Sequence, residues 1–216
     1  MSTRVARLCG DAVPGPWGLT GRQAQAFADL LQILQSGEQS AALTFEVLGR
    51  RRKRSGDNDT LTAALSSVAA DEREHAVLLA RVQSTLPAPL ADEHLQAATE
   101  RFFSQLVSRT AGVHFTRIAA LDSALCLVLA ALRRAQPALF GAAFQRILTD
   151  EARHVALASQ YARTLAQGRE RECVAAATRS ELSQLLALRA DCFEELAIDP
   201  QILFRRIRQP PHFLRA

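Results

Sequence analysis

Apolar residues recur along most of this chain at intervals of three and four, and nowhere do they alternate. That spacing places them on one face of an α-helix, because 3.6 residues make a turn. The pattern predicts a first helix over 21–54, with Thr20 as N-cap, and a turn at Ser55-Gly56-Asp57-Asn58. A second helix starts at Asp59 or Thr60 and ends before Pro87-Ala88-Pro89. A helical connector covers 90–108, and a third long helix runs from Thr110 to Ala135. A fourth starts at Pro137, which suits a first helical position, and ends near Gly168. A last helix covers 170–197. The first twenty residues are broken by Pro14, Gly15, Pro16 and Gly18 and read as an arm, 1–20. The helical domain is 21–197, and a basic tail, 198–216, contains three prolines and is expected to lie extended on the surface. The fold class is all-α: two helical hairpins, joined by a crossover, with a further helix at the C-terminal end.

The informative positions are those where the apolar stripes are interrupted. In the first helix the stripe Phe27, Leu30, Leu31, Leu34, Ala41, Ala42, Phe45 is broken by Glu38. In the second, Leu61, Leu65, Val68, Leu79, Val82 is broken by Glu72 and His75. The third carries Asp122 among Phe115, Ile118, Leu125 and Leu129, and the fourth carries Glu151 and His154 among Phe140, Phe144, Ile147 and Ala158. Charged groups inside a core are costly unless something neutralises them. Two of the interruptions are one motif repeated: Asp71-Glu72-Arg73-Glu74-His75 and Asp150-Glu151-Ala152-Arg153-His154, both D-E-x-x-H. Glu and His three apart point the same way from a helix, so each pair can bind a metal ion from one face. Two pairs in one helical chain predict two metals inside a bundle.

Such a site needs two more carboxylates. In an antiparallel hairpin, facing residues lie at similar depth from the turn. That criterion selects Glu38 opposite Glu72 and rejects Glu46, about two helical turns too close to the loop. It selects Asp122 opposite Glu151, and the third helix contains no other acid. The readings in which Asp122 is a buried structural acid, Asp71 and Asp150 are solvated acids, and Tyr161 and Cys126 are packing residues stand beside the functional ones.

Composition narrows the picture further. The 216 residues are 48% hydrophobic and 22% charged, enough for one domain with a full core. No signal peptide is evident at the N-terminus, and no uninterrupted apolar run of 18 residues suggests a membrane span. Cys9, Cys126, Cys173 and Cys192 form no C-x-x-C pair, so reduced thiols and a cytoplasmic location are expected. Net charge is +4. Much of the excess lies in Arg50-Arg51-Arg52-Lys53-Arg54 and in Arg205, Arg206, Arg208 and Arg215. The first run suits a helix C-terminus, where cations complement the dipole, and the alternative is a phosphate-contacting patch on RNA.

Together, Glu38, Glu72-x-x-His75, Asp122 and Glu151-x-x-His154 resemble the ferritin-like di-iron carboxylate superfamily over residues 21–168, a superfamily that is itself a standing example of metal held in a bundle core. Gly37-Glu38-Gln39-Ser40-Ala41 is similar to the first-helix stretch of rubrerythrin-type proteins. Asp150-Glu151-Ala152-Arg153-His154 matches the D-E-x-R-H motif of bacterial multicomponent di-iron monooxygenases and some ribonucleotide reductase small subunits. The first copy departs from it, with Glu74 where Arg is usual. The resemblance implies a ferritin-like four-helix bundle with a crossover helix and an additional C-terminal helix. It implies two Fe ions, or a manganese–iron pair, held by Glu38, Glu72, His75, Asp122, Glu151 and His154. Asp71 would orient His154, and Asp150 would orient His75, by accepting the second ring N–H.

The implied activity is O2-dependent oxidation of an organic small molecule by hydroxylation, N-oxygenation or desaturation, with an external electron donor, and a homodimer fits. Asp122 is one methylene shorter than the usual Glu and reaches less far. Three other readings stay open: a ferroxidase or peroxide-detoxifying protein, a di-iron hydroxylase of a modified tRNA base, and a non-catalytic bundle with a structural acid network.

Overall fold

The computed structural model describes residues 17–56, 60–106, 108, 110–137 and 142–210. The described residues form eight helices and no strand: α1 (Gly21–Arg54), α2 (Thr60–Gln83), α3 (Glu93–Leu106), α4 (Ala111–Ala135), α5 (Ala142–Leu165), α6 (Gly168–Ala187), α7 (Ala190–Glu195) and α8 (Pro200–Arg208). α1 packs along α2, and α4 along α5; α2 meets α5, while α3 lies against α1, α4 and α6. Most of the arm, the Asp57–Asp59 part of the first turn, the residues after Pro137, with Phe140, and the tail beyond Pro210 lie outside the described residues.

Local signals account for the helix ends. The Thr20 side chain accepts the Gln23 N–H while the Gln23 side chain accepts the Thr20 N–H, a reciprocal cap. Arg51, Arg52, Lys53 and Arg54 form the last turn of α1, where their charge complements the dipole. Asp92 starts α3 by accepting the Leu95 N–H at 2.9 Å. One glycine is dictated by contact: a Cβ at Gly112 would lie 2.4 Å from the Leu165 carbonyl oxygen, so the start of α4 approaches the end of α5 closely only without a side chain.

The core joins Phe27, Leu31, Leu79, Phe102, Leu132, Phe144 and Leu182 from both hairpins, the crossover and α6. The Phe27 and Phe144 rings meet at 6.1 Å, linking α1 to α5. α4 is long and apolar enough to cross a bilayer by length and composition, with a mean hydropathy of 1.8 over 18 residues, although it contains no unbroken apolar run of that length; here 72% of that stretch is buried in the protein.

Two expectations are corrected. The last predicted helix, 170–197, is two helices: α6 ends at Ala187, and a turn through Leu188 and Arg189 restarts the chain as α7. Arg189 there pairs with Asp92 at 3.0 Å, tying the break to the start of α3. The tail is not extended over 200–208. Asp199 caps α8 by accepting the Ile202 N–H, Pro200 stands in its first turn, and Leu203, Phe204 and Ile207 are buried. Those three positions lie on one helical face, and burying them against α4, α6 and α7 favours a helix over a surface strand.

Candidate metal centre

Four helices place six buried ionisable residues side by side: Glu38 from α1, Glu72 and His75 from α2, Asp122 from α4, and Glu151 and His154 from α5. Their apolar flanks bury each helix face, and the acids and imidazoles face inward with them. Phe103 of α3 packs on α1 at Gly37, where a Cβ would meet the ring at 3.3 Å.

Glu38, Glu72, His75 and Glu151 each offer a ligand atom within 4.8 Å of the others and could together hold a metal ion. His75 Nδ1 lies 3.1 Å from Glu38 Oε2, 3.4 Å from Glu151 Oε1 and 3.8 Å from Glu72 Oε2. His154 Nδ1 lies 3.1 Å from Glu72 Oε1 and 3.7 Å from Glu151 Oε1. Glu72 and Glu151 therefore each stand between both imidazoles, whose ring centres are 6.0 Å apart. Glu38 stands at the His75 end. Asp122 and His154 are both outside the tight group of four, and Asp122 Oδ2 has no hydrogen-bond partner. His154 Nδ1 is likewise without an aligned hydrogen bond.

The outward ring nitrogens are crossed. His75 Nε2 lies 3.2 Å from Asp150 Oδ2, and His154 Nε2 lies 3.3 Å from Asp71 Oδ2. Each aspartate precedes the glutamate of the opposite motif. With the proton on Nε2, each imidazole donates to its aspartate and turns Nδ1 inward. Arg153 joins the two aspartates from the solvent side, at 2.7 Å from Asp71 Oδ2 and 3.1 Å from Asp150 Oδ1. Glu74, in the position that Arg153 holds in the second copy, pairs with Arg146, and Arg146 Nε is 3.7 Å from Asp150 Oδ2. The departure in the first motif is thus matched by an arginine on α5.

Electrostatics follow the geometry. Burial pushes the Glu38 carboxyl well above its usual range, with further repulsion from Glu72 and Glu151, against the opposing hydrogen bond with His75. Burial pushes Asp122 up in the same way, with the charges of Glu151 and Glu72 adding to it. Burial also acts against the charge of Glu72, but contacts with His154, His75 and Glu38 outweigh it and hold that carboxyl at about 2. Burial opposes protonation of the imidazoles, yet the surrounding glutamates win and raise His75 to about 12 and His154 to about 11. The metal-free cluster therefore neutralises its acids with protons.

Of the remaining singled-out residues, Glu46 is half-buried and pairs with Arg50 at 2.8 Å and Arg73 at 3.4 Å. Buried His114 faces the Leu106 carbonyl oxygen through Nδ1 at 3.2 Å and is no member of the close-packed group. Tyr161 packs on Phe115, with ring centres 5.3 Å apart. Cys126, Cys173 and Cys192 are free cysteines, while Cys9 and His212 lie outside the described residues. Sequence reasoning does not single out Arg146, and Arg153 enters it only as a motif letter; an arginine four residues before Asp150 is the available signal.

The donor set is one that suits a metal. Carboxylate oxygens and imidazole nitrogens match iron and manganese, and two buried ligand-type atoms, Asp122 Oδ2 and His154 Nδ1, lack hydrogen-bond partners. Comparison with known proteins returned no match to a family model, to a curated protein or to a solved structure.

Proposed function

We propose that the chain is a ferritin-like di-iron carboxylate protein that uses O2 to oxidise an organic substrate. The observation that carries this reading is the crossed arrangement of Asp71–His154 and Asp150–His75 around the shared glutamates. With two metal ions bound, His75 and His154 would each offer one inward nitrogen, and Glu72 and Glu151, which lie near both imidazoles, would be shared between the ions. Glu38 would complete the His75 side, and Asp122 the other. Two bound irons would supply the two-electron oxidising chemistry.

The chain's own part is to position and to exclude. Asp71 and Asp150 fix the imidazole rings, Arg153 keeps the aspartates together, and the buried phenylalanines and leucines keep water from the reacting centre. The apolar cavity beside α4 and α5 favours an organic substrate over iron oxidation alone. An external electron donor completes the scheme.

The test is anaerobic ferrous loading of wild type and Glu151→Ala, followed by oxygen. About two irons per chain, a near-ultraviolet charge-transfer absorption that needs oxygen, and loss of both in the variant are expected. Wild type without stoichiometric iron sinks the reading. Iron that turns over with oxygen and never consumes an organic substrate returns the ferroxidase reading.

A further inference from the structure

On the outer side of the α4–α5 pair, α6 and α8 enclose a cavity of about 760 Å³. Leu127, Val155 and Ile207 supply apolar wall, and among the described residues no aromatic side chain lines it. Arg163, Arg179 and Arg206 line it as well, and no acid among the described residues does. Arg179 is only 5% exposed, yet its Nε and Nη1 have no hydrogen-bond partner. Burial alone acts on the guanidinium, lowering its pKa, with no carboxylate opposing it. Ser159, also buried and lining the cavity, has an unpartnered hydroxyl. The buried acids and imidazoles of the carboxylate cluster offset one another, whereas this arginine is buried with no acid among the described residues to offset it. An uncompensated buried cation is a cost that a ligand from outside the chain can remove.

None of the six cluster residues lines the cavity, but helices α4 and α5 carry residues of both. Ala152 and Val155 line it beside Glu151 and His154, and Ser123 beside Asp122. Cys126, one turn after Asp122, faces it and is close enough to feel the charges of Glu151 and Asp122.

We infer that this cavity binds a small aliphatic organic anion, whose carboxylate or phosphate head pairs with Arg179 and Ser159 and whose apolar body lies along α4 and α5. Arginine recognises both head groups through paired N–H donors. The volume is that of an ordinary small-ligand site, and walls of aliphatic side chains select an alkyl body over a stacked ring. Exposed Arg163 and Arg206 draw anions to the opening. As an anion site the cavity stands without any metal; as the seat of the substrate it rests on the di-iron reading.

The test is calorimetric titration of the metal-free full chain with alkyl carboxylates, alkyl phosphates and the corresponding alcohols, roughly eight to twelve carbons long to match a cavity of this size. One anion series binds one to one, and its alcohol binds at least about tenfold more weakly. The stronger series identifies the head group. Arg179→Met weakens anion binding by roughly 10- to 100-fold. The same variant melts about 2–4 °C higher, because it no longer buries an unpaired charge. Arg179→Lys keeps part of the affinity and serves if the Met variant fails to fold. Equal binding of acid and alcohol, no binding by either anion series, or unchanged affinity in the Arg179 variant that folds overturns the inference. Anion binding without iron uptake supports the cavity and sinks the di-iron reading; iron uptake without anion binding does the reverse.

Discussion

The two polar interiors of this protein, one on each side of the α4–α5 pair, treat buried charge in opposite ways. Inside the hairpins, Glu38, Glu72 and Glu151 share two imidazoles, and each imidazole has an aspartate behind it. Across α4 and α5, Arg179 has no acid beside it among the described residues. The cluster is self-neutral only while it keeps its protons, so a cation can replace them. The cavity is not neutral, so it calls for an anion. Burial is similar in the two places; what differs is whether the chain supplies the opposite charge.

The largest effect should come from breaking the cluster. Glu72→Ala leaves His154 and His75 without a main counter-charge and should cost about 3–5 kcal/mol of stability, read by urea denaturation. A loss below about 1 kcal/mol would mean that the imidazoles are satisfied without it.

Next is the crossed pairing. Asp150→Asn should disturb His75, and Asp71→Asn should disturb His154, each lowering metal affinity about 10- to 100-fold in competition with a chelator. If each mutation instead perturbed the histidine of its own motif in imidazole NMR, the crossed assignment would fail.

Titration sharpens the comparison further. In the metal-free protein, His75 and His154 hold protons up to about 12 and about 11, and Glu38 and Asp122 hold theirs above the usual carboxylate range. The unfolded chain releases the same protons near 6.5, 4.5 and 3.8. The native state then binds more protons than the unfolded state, so stability falls as pH rises above the unfolded values, for the imidazoles from about 6.5 toward about 11 and about 12. Glu72 acts oppositely: its contribution is present above 4.5 and fades as pH falls toward about 2. Metal binding must expel the Nδ1 protons, so affinity rises with pH while metal-free stability falls. Melting curves with chelator and calorimetry in two buffers check both slopes, and a flat metal-free profile contradicts the charge assignment.

The smallest effect belongs to the surface pair Glu74–Arg146, both partners more than half exposed. Glu74→Gln should change stability by less than about 1 kcal/mol and leave metal stoichiometry intact.

Much of this architecture is legible in the amino-acid order. Helical period and breakers predict the long helices, and the interrupted stripes expose Glu38, Asp122 and the two motifs, because a charge at a core position has few innocent explanations. The α8 helix is not legible in the same way, because three prolines in the tail outweigh the face formed by Leu203, Phe204 and Ile207. Arg179 does not stand out either, although it falls among Ala175, Leu182 and Leu186 on the buried face of α6. A single arginine in a run rich in arginine and glutamate is inconspicuous; its isolation depends on residues far away in the chain.

What the sequence determined by itself is therefore whatever repeats along one helix: the helical class, the inward-facing acids and imidazoles, and the pairing of Glu with His three positions on. Those follow from local geometry, which every residue carries with it. The tertiary structure alone decided that Arg146 answers Glu74, that Asp122 and His154 stand outside the closest four ligands, and that Arg179 is buried with its Nε and Nη1 unpartnered. Each of these depends on distances between different helices, and packing sets such distances where helical period cannot.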